Sequence, residues 1–151
     1  MQLEVVSTSD EMTMNIAQKF ASSLKRPSVI SLVGDLGAGK TTFAKGFAKG
    51  LGIDELVTSP TFTILNTYES GERPLYHFDM YRLSNKDEAI ELGFEEYFDL
   101  KTLKGITLVE WAENVKGLLP QLHIQVTLEK VDETKRKIFI GVNGWQWDYW
   151  Q

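Results

Sequence analysis

The sequence predicts an α/β fold in which a mixed, mainly parallel sheet lies between two layers of helices. The apolar run from Val29 to Val33 has the length and β-branched content of a buried strand. Apolar residues recur at helical spacing before and after this run, as expected of alternating strands and helices. Two later segments each contain two alternating runs joined by a short turn, which indicates antiparallel hairpins. The 151 residues suit one domain, expected to span residues 1–151.

The segment after the first apolar run has the pattern G-x-x-x-x-G-K-[ST] at residues 34–41. Its glycines let backbone N–H groups point inward as an anion nest, and the start of the next helix adds partial positive charge. Lys40 is expected to reach the β- and γ-phosphates of a nucleotide, and the Thr41 hydroxyl to ligate Mg²⁺. The alternative, a glycine-rich turn that matches by chance, is disfavoured because strand, loop and helix all agree. We therefore predict the three-layer fold of P-loop NTPases, with a nucleoside triphosphate bound by Gly37, Ala38, Gly39, Lys40, Thr41 and Thr42.

The elements around this loop follow from periodicity and from helix start signals. Residues 3–6 predict a short edge strand, and Thr8 and Glu11 fit a capping box. A helix is expected over about residues 9–25, ended by the next proline, and another over residues 41–51. The elements predicted after the loop are a hairpin at about 62–69 and 74–79, a short helix capped by Ser84 and ending at Gly93, a helical or irregular piece at 94–100, a strand at 106–110, a helix at 111–119 and a second hairpin at 123–130 and 135–142.

The composition excludes several functional classes. There is no cysteine, which rules out a disulfide framework and a thiolate zinc site, and His77 and His123 alone are too few for a typical structural zinc site. The net charge of −5 argues against strong unaided binding to nucleic acid, although a local basic patch stays open. Neither a signal peptide nor a membrane-length apolar run is present, so we expect no membrane segment and a cytoplasmic location.

Two carboxylates stand where predicted strands end. Asp79 follows LYHF and Glu110 follows ITLV, and open α/β sheets bind ligands at the carboxyl ends of their strands. If these strands flank the loop strand, Asp79 would ligate Mg²⁺ and Glu110 would orient or deprotonate the attacking water. The alternative for each is a solvated acid at a strand end. Thr61, in a loop that Pro60 stiffens, is either a switch that senses Mg²⁺ and the γ-phosphate or an ordinary turn residue.

Five motifs in order resemble the TsaE (YjeE) family of bacterial ATPases. They cover about residues 30–120 and read GDLGAGKTTFAKGFAKGLG, SPTFTILNTYE, LYHFDMYRL, ELGFEEYF and ITLVEWAE. The resemblance implies ATP hydrolysis with Mg²⁺ in making threonylcarbamoyladenosine next to the anticodon of tRNAs that read codons beginning with A. It also implies two partner proteins, TsaD and TsaB, which carry the transfer chemistry. Because the chain is acidic, we expect it to contact tRNA only indirectly or weakly.

The same resemblance implies roles for particular residues. Lys40 falls on the family's phosphate position, and Thr61 falls on its switch-like threonine. Glu110 and Trp111 match the family's Glu-Trp pair near the nucleotide, which places Trp111 among the nucleotide-binding residues. The resemblance implies catalytic roles for Lys40, Asp79 and Glu110, and metal-site roles for Thr41, Thr61, Asp79 and Glu110.

Two other classes of phosphate-loop protein compete with this interpretation. A small-molecule kinase usually needs arginines that reach the transferring phosphoryl group, and of the four arginines only Arg82 lies near a predicted site residue. A regulatory GTPase is disfavoured because residues 85–88 mimic the guanine-reading N-K-x-D without its final Asp, so adenine is expected. With no obvious arginine for the γ-phosphoryl group, we expect a slow ATPase that partners activate, with Arg82 as the competitor in cis for that role.

The last residues, GWQWDYWQ, hold three tryptophans and a tyrosine. Two interpretations stay open for them. The aromatic side chains either cover the sheet of their own chain or form a docking surface, for which Trp and Tyr are favoured. The oligomeric state is not indicated by the sequence.

Overall fold

A computed structural model describes residues 2–143, with seven strands in one sheet in the order β1-β7-β6-β2-β5-β4-β3. The strands are β1 (Gln2–Ser7), β2 (Ser28–Gly34), β3 (Leu65–Tyr68), β4 (Leu75–Asp79), β5 (Ile106–Glu110), β6 (His123–Lys130) and β7 (Arg136–Asn143). The helices are α1 (Asp10–Ser23), α2 (Lys40–Gly50) and α3 (Lys86–Glu91), with two 3₁₀ helices at Glu95–Phe98 and Ala112–Val115.

The sheet has a parallel centre and antiparallel margins. β2 pairs in parallel with β5 on one side and with β6 on the other, and β4 pairs in parallel with β5. β3 pairs antiparallel with β4, while β7 pairs antiparallel with both β6 and β1. The phosphate-loop strand β2 is therefore central, and its carboxyl end lies beside those of β5 and β6. The predicted mixed sheet, edge strand and two hairpins are confirmed.

Helices α1 and α2 cover one face of the sheet and form its larger core. The two helices approach closely because glycines stand at their contact. A Cβ added at Gly46 would lie 2.7 Å from the Cα of Met14, and one at Gly50 would lie 2.8 Å from the Cβ of Ala21. Glycines four residues apart share one side of a helix. α2, which begins at Lys40, is thereby held firmly against α1.

The other face carries a smaller layer over β2, β4 and β5. Residues of α3 and of both 3₁₀ helices pack there around Phe78, which is fully buried. The Phe78 ring meets those of Phe94, Tyr97 and Phe98 at centroid distances of 5.1, 5.6 and 5.0 Å, a range typical of tilted aromatic pairs. The two layers complete the three-layer P-loop fold that the sequence predicts.

Both helix caps named from the sequence are wrong by one residue. Ser9 caps α1, accepting a hydrogen bond from the N–H three residues on, so the capping box led by Thr8 does not form. Asn85, and not Ser84, caps α3 in the same way. Adjacent polar residues compete for a cap, and the one with extended backbone directly before the helix takes it.

Two left-handed residues shorten elements that the sequence predicts to be longer. Trp111 has a φ of 58°, so a right-handed helix cannot begin at this residue directly after β5. The predicted helix over 111–119 is therefore reduced to the 3₁₀ turn Ala112–Val115. Ile64 has a φ of 69°, and the first strand of the first hairpin begins only at Leu65. Both of these residues lie close to the predicted site.

The aromatic tail, residues 144–151, lies outside the described residues, and both interpretations of it stay predictions. Within residues 2–143, no helix has the length and apolar character needed to cross a membrane.

Candidate functional site

The phosphate loop joins the central strand β2 to α2. Gly37 and Gly39 have φ values of 82° and 101°, a left-handed conformation that favours glycine. Gly39 directly precedes α2, whose first N–H groups have no partner inside the helix and so attract anions. Gly34 is favoured for lack of space, because a Cβ there would lie 3.0 Å from the carbonyl oxygen of Leu128. The loop therefore presents backbone N–H groups at the start of α2, an arrangement that favours an anion.

Arg136, the first residue of β7, holds this loop through carbonyl groups. Its Nε donates to the carbonyl of Ala38 at 3.0 Å, and its Nη2 donates to that of Gly37 at 3.2 Å. Its Nη1 donates to the carbonyls of Asp132 and Lys135 at 2.8 and 3.0 Å. The guanidinium thus ties the phosphate loop to the turn between β6 and β7.

The turn that supports Arg136 is itself ordered by Asp132. The Asp132 Oδ1 accepts hydrogen bonds from the N–H groups of Thr134 and Lys135 at 2.9 and 2.8 Å. These backbone hydrogen bonds hold the pKa of the Asp132 carboxyl below its ordinary value, because they favour the charged form. The phosphate loop, Arg136 and the turn form one connected hydrogen-bonded network.

The structure brings to the cleft an arginine that the sequence did not single out. Arg136 lines the cleft at the phosphate loop, whereas the guanidinium carbon of Arg82 lies 5.8 Å from the ring centre of Phe62. Arg136 was missed because no local pattern links it to the loop. Only the register of β7, which sets Arg136 opposite Ser7 and Lys130, brings it there.

A cleft of about 430 Å³ lies at the start of α2 and takes in nearly all of the predicted site. Ala38 is the exception, since it is buried and its carbonyl faces Arg136. The predicted residues that line the cleft are Gly37, Gly39, Lys40, Thr41, Thr42, Thr61, Asp79, Glu110 and Trp111. The structure therefore brings together residues from the phosphate loop, the loop before β3, and the ends of β4 and β5.

Asp79 and Thr61 are joined on one side of the cleft. The Thr61 hydroxyl donates to Asp79 Oδ2 at 2.9 Å, and the N–H of Tyr81 donates to Asp79 Oδ1 at 2.9 Å. Asp79 is buried at the end of β4, and the Ser59 hydroxyl lies 2.9 Å from that of Thr61. The predicted switch threonine thus contacts the predicted metal acid directly.

Lys40 lies between Glu110 and Trp111. Its Nζ is 3.7 Å from Glu110 Oε1 and 5.3 Å from the centre of the Trp111 ring. Trp111 is 37% exposed, and its ring meets that of Tyr81 edge-on at 5.1 Å between centroids. A triphosphate would compete with the carboxylate and the indole face for the same ammonium group.

Glu110 has a second and shorter contact, which the sequence did not predict. His77 Nε2 lies 2.9 Å from Glu110 Oε2, and His77 is 1% exposed. The register of β4 and β5 sets Asp79 opposite Glu110, so His77 is a diagonal neighbour of Glu110 on the same face. The sequence marks His77 only as one of two imidazoles, too few for a typical structural zinc site. Its position two residues before Asp79 on a strand was the available signal.

The site residues fit a magnesium ion that is shared with phosphates. Within the described chain, no group of three or more histidine, cysteine or carboxylate side chains is placed to hold a metal ion by itself. Mg²⁺ in nucleotide sites usually takes one or two carboxylates together with phosphates and waters. Asp79 and the Thr41 hydroxyl fit that pattern. Glu110 fits it less well, because its two oxygens already face Lys40 and His77.

The comparison with known families decides the classification. The sequence model of the family described as "Threonylcarbamoyl adenosine biosynthesis protein TsaE" matches residues 7–138, which include every residue of the cleft named above. The chain belongs to the TsaE family. The family resemblance noted in the five motifs is therefore confirmed.

Curated relatives in the TsaE family cover most of the chain, and each carries the name "tRNA threonylcarbamoyladenosine biosynthesis protein TsaE". The relative from Bacillus subtilis (strain 168) is 46% identical over 143 residues, which cover 95% of this chain and 87% of the relative. The relative from Rickettsia bellii is 42% identical, with 88% and 90% covered. The relative from Nostoc sp. is 43% identical, with 84% and 78% covered.

The TsaE fold is also found in a solved structure. The crystal structure of Bacillus subtilis YdiB matches with a TM-score of 0.80 and 40% sequence identity, covering 95% of this chain and 87% of that one. It confirms the predicted α/β fold class.

Proposed function

We propose that this TsaE-family protein binds and hydrolyses ATP with Mg²⁺ in the synthesis of threonylcarbamoyladenosine in tRNA. The observation that carries the proposal is the cleft at the start of α2, where the phosphate loop, the Lys40 ammonium and two buried carboxylates, Asp79 and Glu110, converge. Family membership supports the pathway, and the cleft supports the chemistry. We propose ATP over GTP because the guanine-reading motif is incomplete.

The residues of the cleft divide the work between binding and hydrolysis. The loop N–H groups and Lys40 bind the phosphates, while Asp79 and Thr41, with Thr61 beside Asp79, hold the Mg²⁺ that neutralises phosphate charge. Glu110 orients a water and accepts its proton. The water oxygen bonds to the γ-phosphorus, the bond to the β–γ bridging oxygen breaks, and the products are ADP and phosphate.

The contacts of the nearby arginines support activation by a partner. Arg136 directs its nitrogens to four carbonyl groups, and Arg82 lies beside the Phe62 ring. Arg136 is engaged by these carbonyl groups, whereas Arg82 is exposed and stays the competitor in cis for neutralising charge on the γ-phosphoryl group. An arginine supplied by a partner is worth about 10³–10⁵ in rate in other phosphate-loop enzymes. We propose that the TsaD–TsaB complex supplies this missing charge.

The rim of the cleft is apolar and exposed, which favours a protein partner. Leu36 is fully exposed, Phe62 is 85% exposed and Tyr81 is 58% exposed. Leu36 and Trp111 line the cleft, Phe62 follows Thr61, and Tyr81 touches the Trp111 ring. Exposed apolar patches of this kind mark interaction sites on soluble proteins. With a net charge of −5, direct tRNA binding is proposed to be weak at most.

ATP turnover tests the proposed function. Wild type and Arg82→Ala are measured alone, with TsaD and TsaB, and with TsaD, TsaB and tRNA. We expect slow turnover alone and a rise of roughly 10³ with the partners in both proteins. Rapid turnover of the isolated wild type, lost in Arg82→Ala and indifferent to the partners, would contradict partner activation. Phosphate transfer to a small acceptor in place of water would establish the kinase alternative.

Two conservative substitutions separate the roles of the carboxylates. Asp79→Asn should weaken magnesium-dependent ATP binding, because it removes charge from the metal's surroundings. Glu110→Gln should leave ATP bound but slow its hydrolysis, because it removes the base and not a ligand. Calorimetry with and without Mg²⁺ and single-turnover hydrolysis measure the two effects. If Glu110→Gln abolishes binding while Asp79→Asn does not, the two assignments are reversed.

A further inference from the structure

His77 is a buried polar side chain whose contacts lie on one side only. Its Nε2 faces Glu110 Oε2 at 2.9 Å, while its Nδ1 is buried without a hydrogen-bond partner among the described residues. A buried nitrogen without a partner costs free energy. A compensating role is expected for a side chain buried at this cost, and the one hydrogen bond of His77 is to Glu110, the proposed catalytic base.

The contacts fix which nitrogen of His77 carries the proton. An ionised carboxylate only accepts hydrogen bonds, so Nε2 must be the donor toward Glu110. A proton on Nδ1 would be a buried donor with no acceptor, which is more costly than a bare lone pair. The arrangement therefore makes Nε2 of His77 the donor to Glu110. At His123 the donor is the other ring nitrogen, because Nδ1 lies 2.8 Å from the carbonyl oxygen of Pro120, which only accepts.

The Glu110 carboxylate contacts Lys40 and His77, and only the contact with His77 is kept when Lys40 binds phosphate. Lys40 is 3.7 Å from one carboxylate oxygen and His77 is 2.9 Å from the other. When Lys40 engages the phosphates, its hold on Glu110 weakens at the moment when the carboxylate must orient a water.

We propose that His77 is a positioning residue for hydrolysis, which fixes the Glu110 carboxylate through its Nε2–H while Lys40 binds phosphate. The proposal rests on the proposed ATPase function. Asp79 is secured separately, by the Thr61 hydroxyl and the Tyr81 N–H. The two acids of the site thus have independent supports, and His77 serves only the one that handles the water.

The hydrogen bond itself is tested without nucleotide. The chain has two histidines, so isotope labelling of the imidazole nitrogens gives NMR signals from only two rings. We expect a protected Nε2–H for His77 and a protected Nδ1–H for His123. Glu110→Leu should abolish only the His77 signal, whereas Glu110→Gln, whose amide oxygen still accepts, should retain it. A His77 Nε2–H unaffected by Glu110→Leu, or a proton found on Nδ1, would overturn the proposal.

The positioning role is tested by comparing His77→Leu with His77→Gln. The Gln amide nitrogen can replace Nε2–H as donor to Glu110, and Leu cannot. We expect His77→Leu to lower kcat by about tenfold or more, since small misplacement of a catalytic group costs up to about 100-fold. KM for ATP should stay within about threefold, because the lost interaction serves the transition state. His77→Gln should recover most of kcat, and thermal unfolding checks that both variants fold.

The possible outcomes separate this proposal from the proposed function. Equal loss of kcat in the two variants, or a rise in KM with unchanged kcat, would overturn the positioning role while leaving the ATPase intact. Unchanged kcat in His77→Leu would do the same. A wild-type protein that binds ATP but does not hydrolyse it, even with TsaD and TsaB, would overturn the ATPase function and the positioning role with it. The NMR result would still show whether His77 donates to Glu110.

Discussion

Replacing Arg136 by alanine should weaken ATP binding, because the arginine holds the phosphate loop through two of its carbonyl groups. The change removes the hydrogen bonds to the carbonyls of Ala38 and Gly37, at 3.0 and 3.2 Å. Hydrogen bonds to a charged group are worth about 1.5–3 kcal/mol each when buried. Arg136 is partly exposed, and the loop keeps its own bond from the Ala38 N–H to Asp35. We therefore take about 2 kcal/mol for the pair.

That loss sets the expected affinity of the Arg136→Ala protein. If the whole loss of about 2 kcal/mol destabilises the loop conformation that binds ATP, ATP affinity drops by about 30-fold. If part of the loss instead lowers the stability of the whole fold, the drop in affinity is smaller. We expect a decrease between about threefold and 30-fold in calorimetry with Mg²⁺, together with a lower Tm. The matched control is Lys137→Ala, which removes an exposed charge from the next position of β7.

A second variant separates shape from charge. Arg136→Lys keeps the positive charge near the phosphates but cannot reach both carbonyls with a planar fork. We expect it to bind ATP almost as poorly as Arg136→Ala. Wild-type affinity in Arg136→Lys with weak binding in Arg136→Ala would show that Arg136 acts by charge. Wild-type affinity and stability in both variants would refute the argument that Arg136 supports the loop.

Three further substitutions test other parts of the structure. Lys40→Ala should lower ATP affinity by at least about tenfold without loss of fold, because it removes a charge-assisted contact to the phosphates; unchanged calorimetric binding would contradict the phosphate-loop assignment. Trp111→Phe should remove the change in tryptophan emission on adding ATP with Mg²⁺, since Lys40 lies 5.3 Å from the Trp111 ring centre and would leave it; a full signal in the variant would place the reporter elsewhere. Gly46→Ala should lower Tm, because its Cβ would overlap Met14 and overpacking of about 1–3 kcal/mol exceeds the gain of about 1 kcal/mol in helix propensity; a wild-type or raised Tm would mean that α1 moves aside freely.

Elements with a strong local signal were predictable from the sequence, and their exact ends were not. β2, the loop and α2 follow from a contiguous motif, and both hairpins follow from alternation. The caps failed because Thr8 and Ser9, and likewise Ser84 and Asn85, are chemically alike, so only the backbone conformation decides between them. The helix after β5 failed because apolar spacing does not reveal the left-handed backbone of Trp111.

The candidate site likewise contains residues that the sequence predicts and residues that it does not. Lys40 and Thr41 belong to the motif, and Asp79 and Glu110 were found because they end strands. Arg136 acts on Ala38 from 98 positions along the chain, and His77 meets Glu110 across 33. Supports of this kind depend on strand order and register, which no single stretch of sequence encodes. They become visible only when the sheet is assembled.

The pairing of β1 with β7 makes completion of the sheet depend on segments that are synthesised far apart. Ser7 faces Arg136, and the central strand β2 needs β6 on one edge and β5 on the other. Contacts with such long sequence separation are slow to form, because closing a long loop costs chain entropy. During synthesis, β1 and one edge of β2 have no pairing partner until the last hairpin has emerged from the ribosome. Unpaired strand edges can associate with other chains. A stalled or truncated chain lacking β6 and β7 would thus carry a complete phosphate-loop motif on an unfinished sheet, open to chaperones and to aggregation.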